Sequence, residues 1–368
     1  MTDSAMGYGK QGQPRSRLGN VLLVIAFSVL AVLAAELALW FLYPQTTLFP
    51  RYTDSPDYPI AFPENAELVH SQGSRWKFVY NTNELGRRGP YLQMHGEYKT
   101  TNVVALGDSF TFGIGVNDNE VYTSIMSKRL EGGYAVVNGG MGGWGIDSEI
   151  KWYFRTGSQY QPKYVVLQFT ANDPSESFTG ITKIENGEFA FYPITVTKPS
   201  WQLFLSRSRI IQTSQLYGLL RHAYDRYTAQ DPFAAQRDSP PKVSALETKL
   251  DRPQANYAEM LRLFSGKLHD QDVELIFLSV THGHKEANGY HYDLDHFPHI
   301  ALEVKRLEAE GMLHFLDLNL VEMSKYPGSA EGHQWSAAHH RLVGEDIAKT
   351  IQVLGEGTDK SKHRKYSR

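Results

Sequence analysis

The strongest restriction on this chain is a succession of short apolar runs, each closing on a turn that carries glycine or a polar side chain. Residues 102–106 lead into Gly107-Asp108-Ser109-Phe110. Residues 134–137 lead into Asn138-Gly139-Gly140-Met141-Gly142-Gly143-Trp144-Gly145, and residues 164–169 into Thr170-Ala171-Asn172-Asp173. The runs read as strands, the third being rich in β-branched and aromatic residues. Residues 121–130 and 146–155 have helical spacing between them. Strands alternating with helices imply a parallel sheet covered on both faces, with the three turns together at its C-terminal edge. Further on, residues 255–268 and 300–310 read as helices, 273–280 and 313–318 as strands, and 341–354 as a closing helix.

Each turn holds a group suited to acyl transfer. Ser109 directly follows a strand and precedes a helix, which exposes its hydroxyl and leaves its own N–H open. A hydroxyl that attacks an ester carbonyl generates an oxyanion needing such donors. Gly143 can offer a further N–H, and Asn172 a side-chain amide. Taken singly, each also fits a plain structural role: a helix cap at Asp108 or Ser109, a tight glycine turn, an Asx turn at Asn172. A dinucleotide-binding fingerprint does not fit the glycine turn, because the spacing differs and no acidic residue closes a following strand. Three such edges in order point to a site.

The N-terminus sets the surroundings. Residues 21–43 are apolar for about 23 positions, enough to cross a bilayer core as one helix. Lys10, Arg15 and Arg17 precede the span and Trp40 and Tyr43 end it, so the positive-inside rule leaves the short leader in the cytoplasm and the body outside. Glu36 is the only charge within it, read as a carboxyl near the outer third of the span that is neutral or reaches the interface, with a paired intramembrane site as the sharper alternative. A cleaved signal with a small-residue site at Val32-Leu33-Ala34 is the alternative. The chain has no cysteine, which excludes disulfides, thiolate metal sites and a cysteine nucleophile. Its net charge of −3, with both signs interspersed, carries no nucleic-acid footprint.

The order of these blocks resembles that of the SGNH (GDSL-type) hydrolases over roughly residues 101–354. The resemblance implies a three-layer α/β/α fold with a mostly parallel, flavodoxin-like sheet. It also implies a serine nucleophile at Ser109, oxyanion donors at Ser109, Gly143 and Asn172, and a catalytic histidine near the C-terminus. Asn81-Thr-Asn-Glu-Leu-Gly-Arg-Arg-Gly89 is similar to a lead-in of membrane-anchored bacterial members. Two positions depart from the pattern: Thr170 stands where the third block usually begins with glycine, and Glu331 stands for the usual aspartate before the histidine. His333, in a loop, is favoured as base over His339 and His340 at the start of the closing helix. Glu331 is its expected orienting acid, with Asp317 as the substitute. The chemistry implied needs no cofactor and no metal.

The expected organisation is a leader (1–20), an anchor (21–43), a lead-in acting as a tether (44–100), the hydrolase-like domain (101–354) with an insertion at 174–250, and a disordered basic tail (355–368). Within the insertion, Asn186-Gly187 marks a hairpin, residues 214–227 a helix and residues 231–241 a loose loop. Arg207, Arg209, Arg221 and Arg226, with Trp201, Tyr217 and Tyr224, read either as a site for an anionic polymer or headgroup or as a solvated face. His282, His284, His291, His296 and His299, near Glu286, Asp293 and Asp295, read as a polar loop rather than a metal site. The function expected is an extracytoplasmic serine esterase that removes O-acyl groups, acetyl foremost, from a carbohydrate or cell-envelope molecule. An O-acyltransferase served by an acyl-donating membrane partner is the alternative, and a non-catalytic scaffold with the same fold the third reading.

Overall fold

The computed structural model describes residues 17–53, 55–89, 101–130, 133–176, 180–194, 204–205, 207–228, 243–283 and 289–365. The leader to residue 16, Trp201, the 231–241 loop, His284, Glu286 and the last three residues lie outside them. The apolar span forms the helix Arg17–Leu42, with no buried residue and a mean hydropathy of 2.7 over its most apolar 18-residue window. Being apolar on every side, it is long enough to cross a membrane or to serve as a signal sequence.

The lead-in is more than a tether. β1 (Thr46–Phe49), β2 (Glu67–Gln72) and β3 (Trp76–Asn81) make an antiparallel sheet in the order β1-β2-β3. Short strands with only Leu68 and His70 buried along β2 leave too little alternation to read from sequence. Leu68, Tyr80 and Phe62 nevertheless belong to the main hydrophobic core.

The central sheet follows. β4 (Thr101–Leu106), β5 (Tyr134–Asn138) and β6 (Pro162–Phe169) come first, then a hairpin of β7 (Thr182–Glu185) and β8 (Glu188–Phe191). After β9 (Glu274–Ser279) a second hairpin pairs β10 (Thr281–Gly283) with β11 (Tyr290–Tyr292), and β12 (His314–Phe315) is last. Five strands pair in parallel in the order β12-β9-β6-β4-β5, the doubly wound order in which the strand sequence reverses beside β4. β6 lies in the middle, buried from Tyr164 to Phe169, as a strand covered on both faces must be. On one face the helices Tyr122–Leu130 and Ala337–Lys365 pack together. On the other, Ile146–Arg155, Val243–Asp270 and Pro298–Ala309 pack together.

Several bounds differ from expectation. The helix expected over 255–268 starts at Val243, inside the segment assigned to the insertion. β12 has only two residues, although Leu316 and Leu318 beyond it are buried. The closing helix starts at Ala337 and runs to Lys365, so the segment expected to be a disordered tail is helical to that residue. Residues 355–365 carry no apolar stripe, which is why periodicity ended the helix at 354. The Asn186-Gly187 hairpin is present, with both residues left-handed at φ 52° and 78°, as a two-residue turn between twisted strands requires.

The paired arginines of the lead-in join the two sheets. Arg88, its side chain 2% exposed, bonds Asp118 Oδ1 at 2.6 Å. Its other nitrogens donate to the carbonyls of Phe112 at 3.2 Å, Val116 at 2.8 Å, and Gly113. Phe112 and Gly113 end the helix Ser109–Phe112, where carbonyls lack helical partners and a cation is favoured. Arg87 lies 4.2 Å from the Trp144 ring and 5.4 Å from Trp152; burial lowers its pKa to about 9. Replacing Arg88 by methionine keeps most of the stem and removes every donor. The Arg88→Met protein is expected to lose about 3–5 kcal/mol of unfolding free energy in a denaturant titration. A loss below about 1 kcal/mol would mean that these carbonyls find water instead.

Candidate active site

Ser109 is presented by a turn its neighbour shapes. Asp108 caps the short helix, its carboxylate accepting the Phe110 N–H at 3.0 Å, and Ser109 opens the first turn. The Ser109 hydroxyl stands 3.0 Å from His333 Nε2 and 3.3 Å from Asp108 Oδ2. On the far side of the ring, His333 Nδ1 forms a short hydrogen bond with Glu331 Oε2, which also accepts the His333 backbone N–H at 3.2 Å. Burial opposes ionisation of Glu331, but the bonds and charge of His333 outweigh it and hold the carboxyl below its usual range. The structure thus brings Ser109, His333 and Glu331 into one hydrogen-bonded row, with the Phe110 ring edge-on to the imidazole at 5.2 Å.

The competing residues lie elsewhere. His340 is buried, stacks on Tyr122 and accepts the Tyr122 N–H at 3.3 Å through Nδ1; burial first, then Arg88 and His333, lower its pKa to about 3. His339 accepts from the Ser336 N–H at 3.2 Å. Asp317 receives the Tyr292 hydroxyl at 3.0 Å. In the histidine-rich stretch, His282 of β10 faces His291 of β11, and His291 and His296 approach at 2.9 Å.

The glycine turn and Asn172 complete the edge. A Cβ placed on Gly142 would lie 3.8 Å from Ser109 Cβ, so this turn runs alongside Ser109. Gly143 has φ +78°, a conformation that favours glycine, and a Cβ there would press on the tip of the Ile60 side chain at 2.6 Å. Asn172 reaches Asp108 Oδ2 through Nδ2 at 3.4 Å and also bonds Glu176. Thr170 causes no disruption: its hydroxyl donates to Asp293 Oδ2 at 2.9 Å, and its N–H to Asp173 Oδ2 at 2.9 Å.

Two groups of residues escaped the sequence reading. Lead-in side chains wall the site: Tyr52, stacked on Phe62, puts its hydroxyl 3.7 Å from a Cβ on Gly142. Burial, then Glu176 and Glu331, raise the Tyr52 pKa. Trp144 donates from its indole to the Ile60 carbonyl at 2.9 Å. The Tyr80 hydroxyl accepts the Gly115 N–H at 3.0 Å. The Gly115 carbonyl accepts the Ser329 hydroxyl at 2.6 Å, and the Ser329 N–H donates to the His333 carbonyl at 2.8 Å. The small sheet therefore supports the histidine loop as well as the nucleophile helix.

The second group is acidic. Asp108, Glu149, Asp173 and Glu176 gather beside Ser109, and oxygens of Asp108, Asp173 and Glu176 lie within 4.8 Å of one another. Three oxygens at that spacing suit a cation, but burial, with mutual repulsion second, pushes Glu149 and Asp173 well above the carboxylate range and favours protons instead. Glu176 rises from 4.5 to about 7, mainly through burial, with the bond from Asn172 opposing and the charge of Asp108 adding. Folding favours its neutral form, so this contribution is complete below the ordinary pKa and is lost as pH rises through about 7. Over that window it amounts to about 3 kcal/mol. Between about pH 5 and about pH 8, the wild-type chain is expected to lose that much more stability than Glu176→Gln in urea titrations. Equal losses would contradict it.

A sequence model of the GDSL-like Lipase/Acylhydrolase family matches residues 105–322, more than half the chain, ending before His333. No curated sequence matches significantly. The crystal structure of TesA covers 69% of this chain and 99% of its own, at 14% identity and TM-score 0.40. The psychrotrophic esterase EstA from Pseudoalteromonas sp. covers 70% and 99%, at 10% identity and TM-score 0.39. Est24, a carbohydrate acetylesterase from Sinorhizobium meliloti, covers 69% and 100%, at 12% identity and TM-score 0.37. Likenesses this distant carry no argument about substrate.

Proposed function

The chain belongs to the GDSL-like lipase/acylhydrolase family of serine hydrolases acting on esters, and we propose that it is a membrane-anchored, extracytoplasmic O-acyl esterase. The observation that carries this reading is the row from Ser109 Oγ through His333 to Glu331, with 3.0 Å between hydroxyl and imidazole. His333 takes the Ser109 proton through Nε2 as the oxygen attacks the acyl carbon. Glu331 fixes the tautomer that leaves Nε2 free to accept and stabilises the imidazolium. The N–H groups of Ser109 and Gly143 and the amide of Asn172 receive the oxyanion. His333 returns its proton to the departing alcohol, then activates water to release the acyl group.

A short acyl group suits the walls. Ile60 and Tyr52 of the lead-in stand beside the Gly142-Gly143 turn, and we read these walls as favouring acetyl over a long chain. Location supports an envelope or carbohydrate substrate: Arg17–Leu42 can hold the domain at the membrane, and the basic residues before it favour a cytoplasmic N-terminus.

Hydrolysis of p-nitrophenyl acetate by the full chain in detergent tests the reading. Ser109→Ala is expected to lower kcat/KM by at least about 10³-fold. Equal turnover in wild type and variant would refute a serine mechanism. Acetylation of Ser109 without release would point to a transferase awaiting its acceptor. Glu331→Gln is expected to lower kcat by about 10²–10⁴-fold with little change in KM. An unchanged kcat would move the orienting role to another group.

A further inference from the structure

Glu36, the only charge in the apolar run of residues 21–43, is held by a distant part of the chain. Its carboxylate accepts the N–H of Gln215 at 2.7 Å, that of Leu216 at 3.2 Å, and the Ser214 hydroxyl. These groups begin the helix Gln215–Thr228, which follows the short helix Arg209–Thr213 inside the insertion. Gln215 also accepts the Gln45 N–H at 2.6 Å, just beyond the end of the apolar helix. The short helix packs on β1 of the lead-in sheet.

The depth of this contact matters. Glu36 lies six residues before Leu42, the last residue of the apolar helix, or about 9 Å back along its axis. If that helix spans the bilayer, the groups bonded to Glu36 sit at the same depth, near the outer boundary of the hydrocarbon. The surface around them is suited to that place. Ile210 is 84% exposed, Phe204 67%, Tyr224 66% and Leu220 61%, while Arg207 and Arg209 are exposed beside them. Leu220 and Tyr224, four residues apart, share one helix face. Such side chains are costly in water and favourable at the boundary of acyl chains and headgroups, where the arginines meet lipid phosphates.

We propose that residues 204–228 form a collar embedded in the outer leaflet around the anchor, binding the lipid surface through Phe204, Ile210, Leu220 and Tyr224. The inference rests on the reading that Arg17–Leu42 spans the membrane. It explains how an acidic side chain is kept in that helix, since its oxygens are satisfied by the collar. It also fixes the lead-in sheet, and with it the Ser109 edge, at a set height above the bilayer.

The cysteine-free sequence makes the test clean. Single substitutions Val29→Cys, Ile210→Cys, Leu220→Cys and Leu302→Cys in the full chain are labelled with an environment-sensitive fluorophore. Each is reconstituted in vesicles of phosphatidylcholine and phosphatidylglycerol that carry a nitroxide near the headgroup or at mid-chain. Labels at 210 and 220 are expected to lose fluorescence most to the shallow nitroxide. The label at 29 is expected to lose most to the deep one, and the label at 302, on the helix Pro298–Ala309, to neither. Quenching at 29 with none at 210 and 220 would overturn the collar and leave the anchor standing. No quenching at 29 would instead overturn the anchor. A blue-shifted but unquenched label at 210 or 220 would mean a protein surface covers the patch, and the proposal would fail.

Discussion

The guanidinium of Arg88 is the point on which the catalytic edge depends. It spends its donors on Asp118 and on the carbonyls of Phe112, Gly113 and Val116, the exit of the four-residue helix that begins at Ser109. A helix that short cannot hold its own orientation, because most of its backbone groups have no partner within it. Tying its end to a buried cation fixes where the Ser109 hydroxyl points. The same loop carries Gly115, which links Tyr80 of the lead-in to Ser329 and so to the histidine turn. Ser109 and His333 are thereby referred to one support.

Burial around that support has an electrostatic consequence. Asp108 faces both the Ser109 hydroxyl and the Asn172 amide, while Asp173, Glu149 and Glu176 crowd behind it with raised pKa values. Protons on these acids spare the Ser109 hydroxyl a concentration of negative charge, as the proposed oxyanion would require. Asn172, held by Asp108 and Glu176, is oriented by the same group of acids that its amide helps to satisfy. The one acid aimed at the imidazole, Glu331, is the exception: bonds from His333 keep it ionised.

The central strands were legible because burial on both faces leaves mostly apolar and aromatic residues to read, as in residues 164–169 of β6, where Gln168 alone departs from that pattern. The helix Ile146–Arg155 and the Asn186-Gly187 hairpin were legible for equally local reasons, periodicity and a left-handed turn. His333 could be set apart from His339 and His340 because a loop can point a ring across the sheet edge while a helix start buries it; both later histidines are indeed packed. The lead-in sheet was not legible. Its strands are short and half-exposed, and its worth lies in contacts to residues far along the chain, such as Arg88 with Gly113 and Tyr80 with Gly115. The acids around Asp108 were hidden for the same reason: Glu149 sits on a helix that reads as amphipathic, and only the fold shows that it turns inward.

The most direct test of a His333-activated Ser109 is covalent. The full chain is treated with a fluorophosphonate and its mass followed with time, and the modified residue is then located by peptide sequencing. The account predicts one adduct, on Ser109, whose formation is abolished in His333→Ala while the variant remains folded. An adduct on another residue, or labelling of Ser109 at an unchanged rate in His333→Ala, would contradict it.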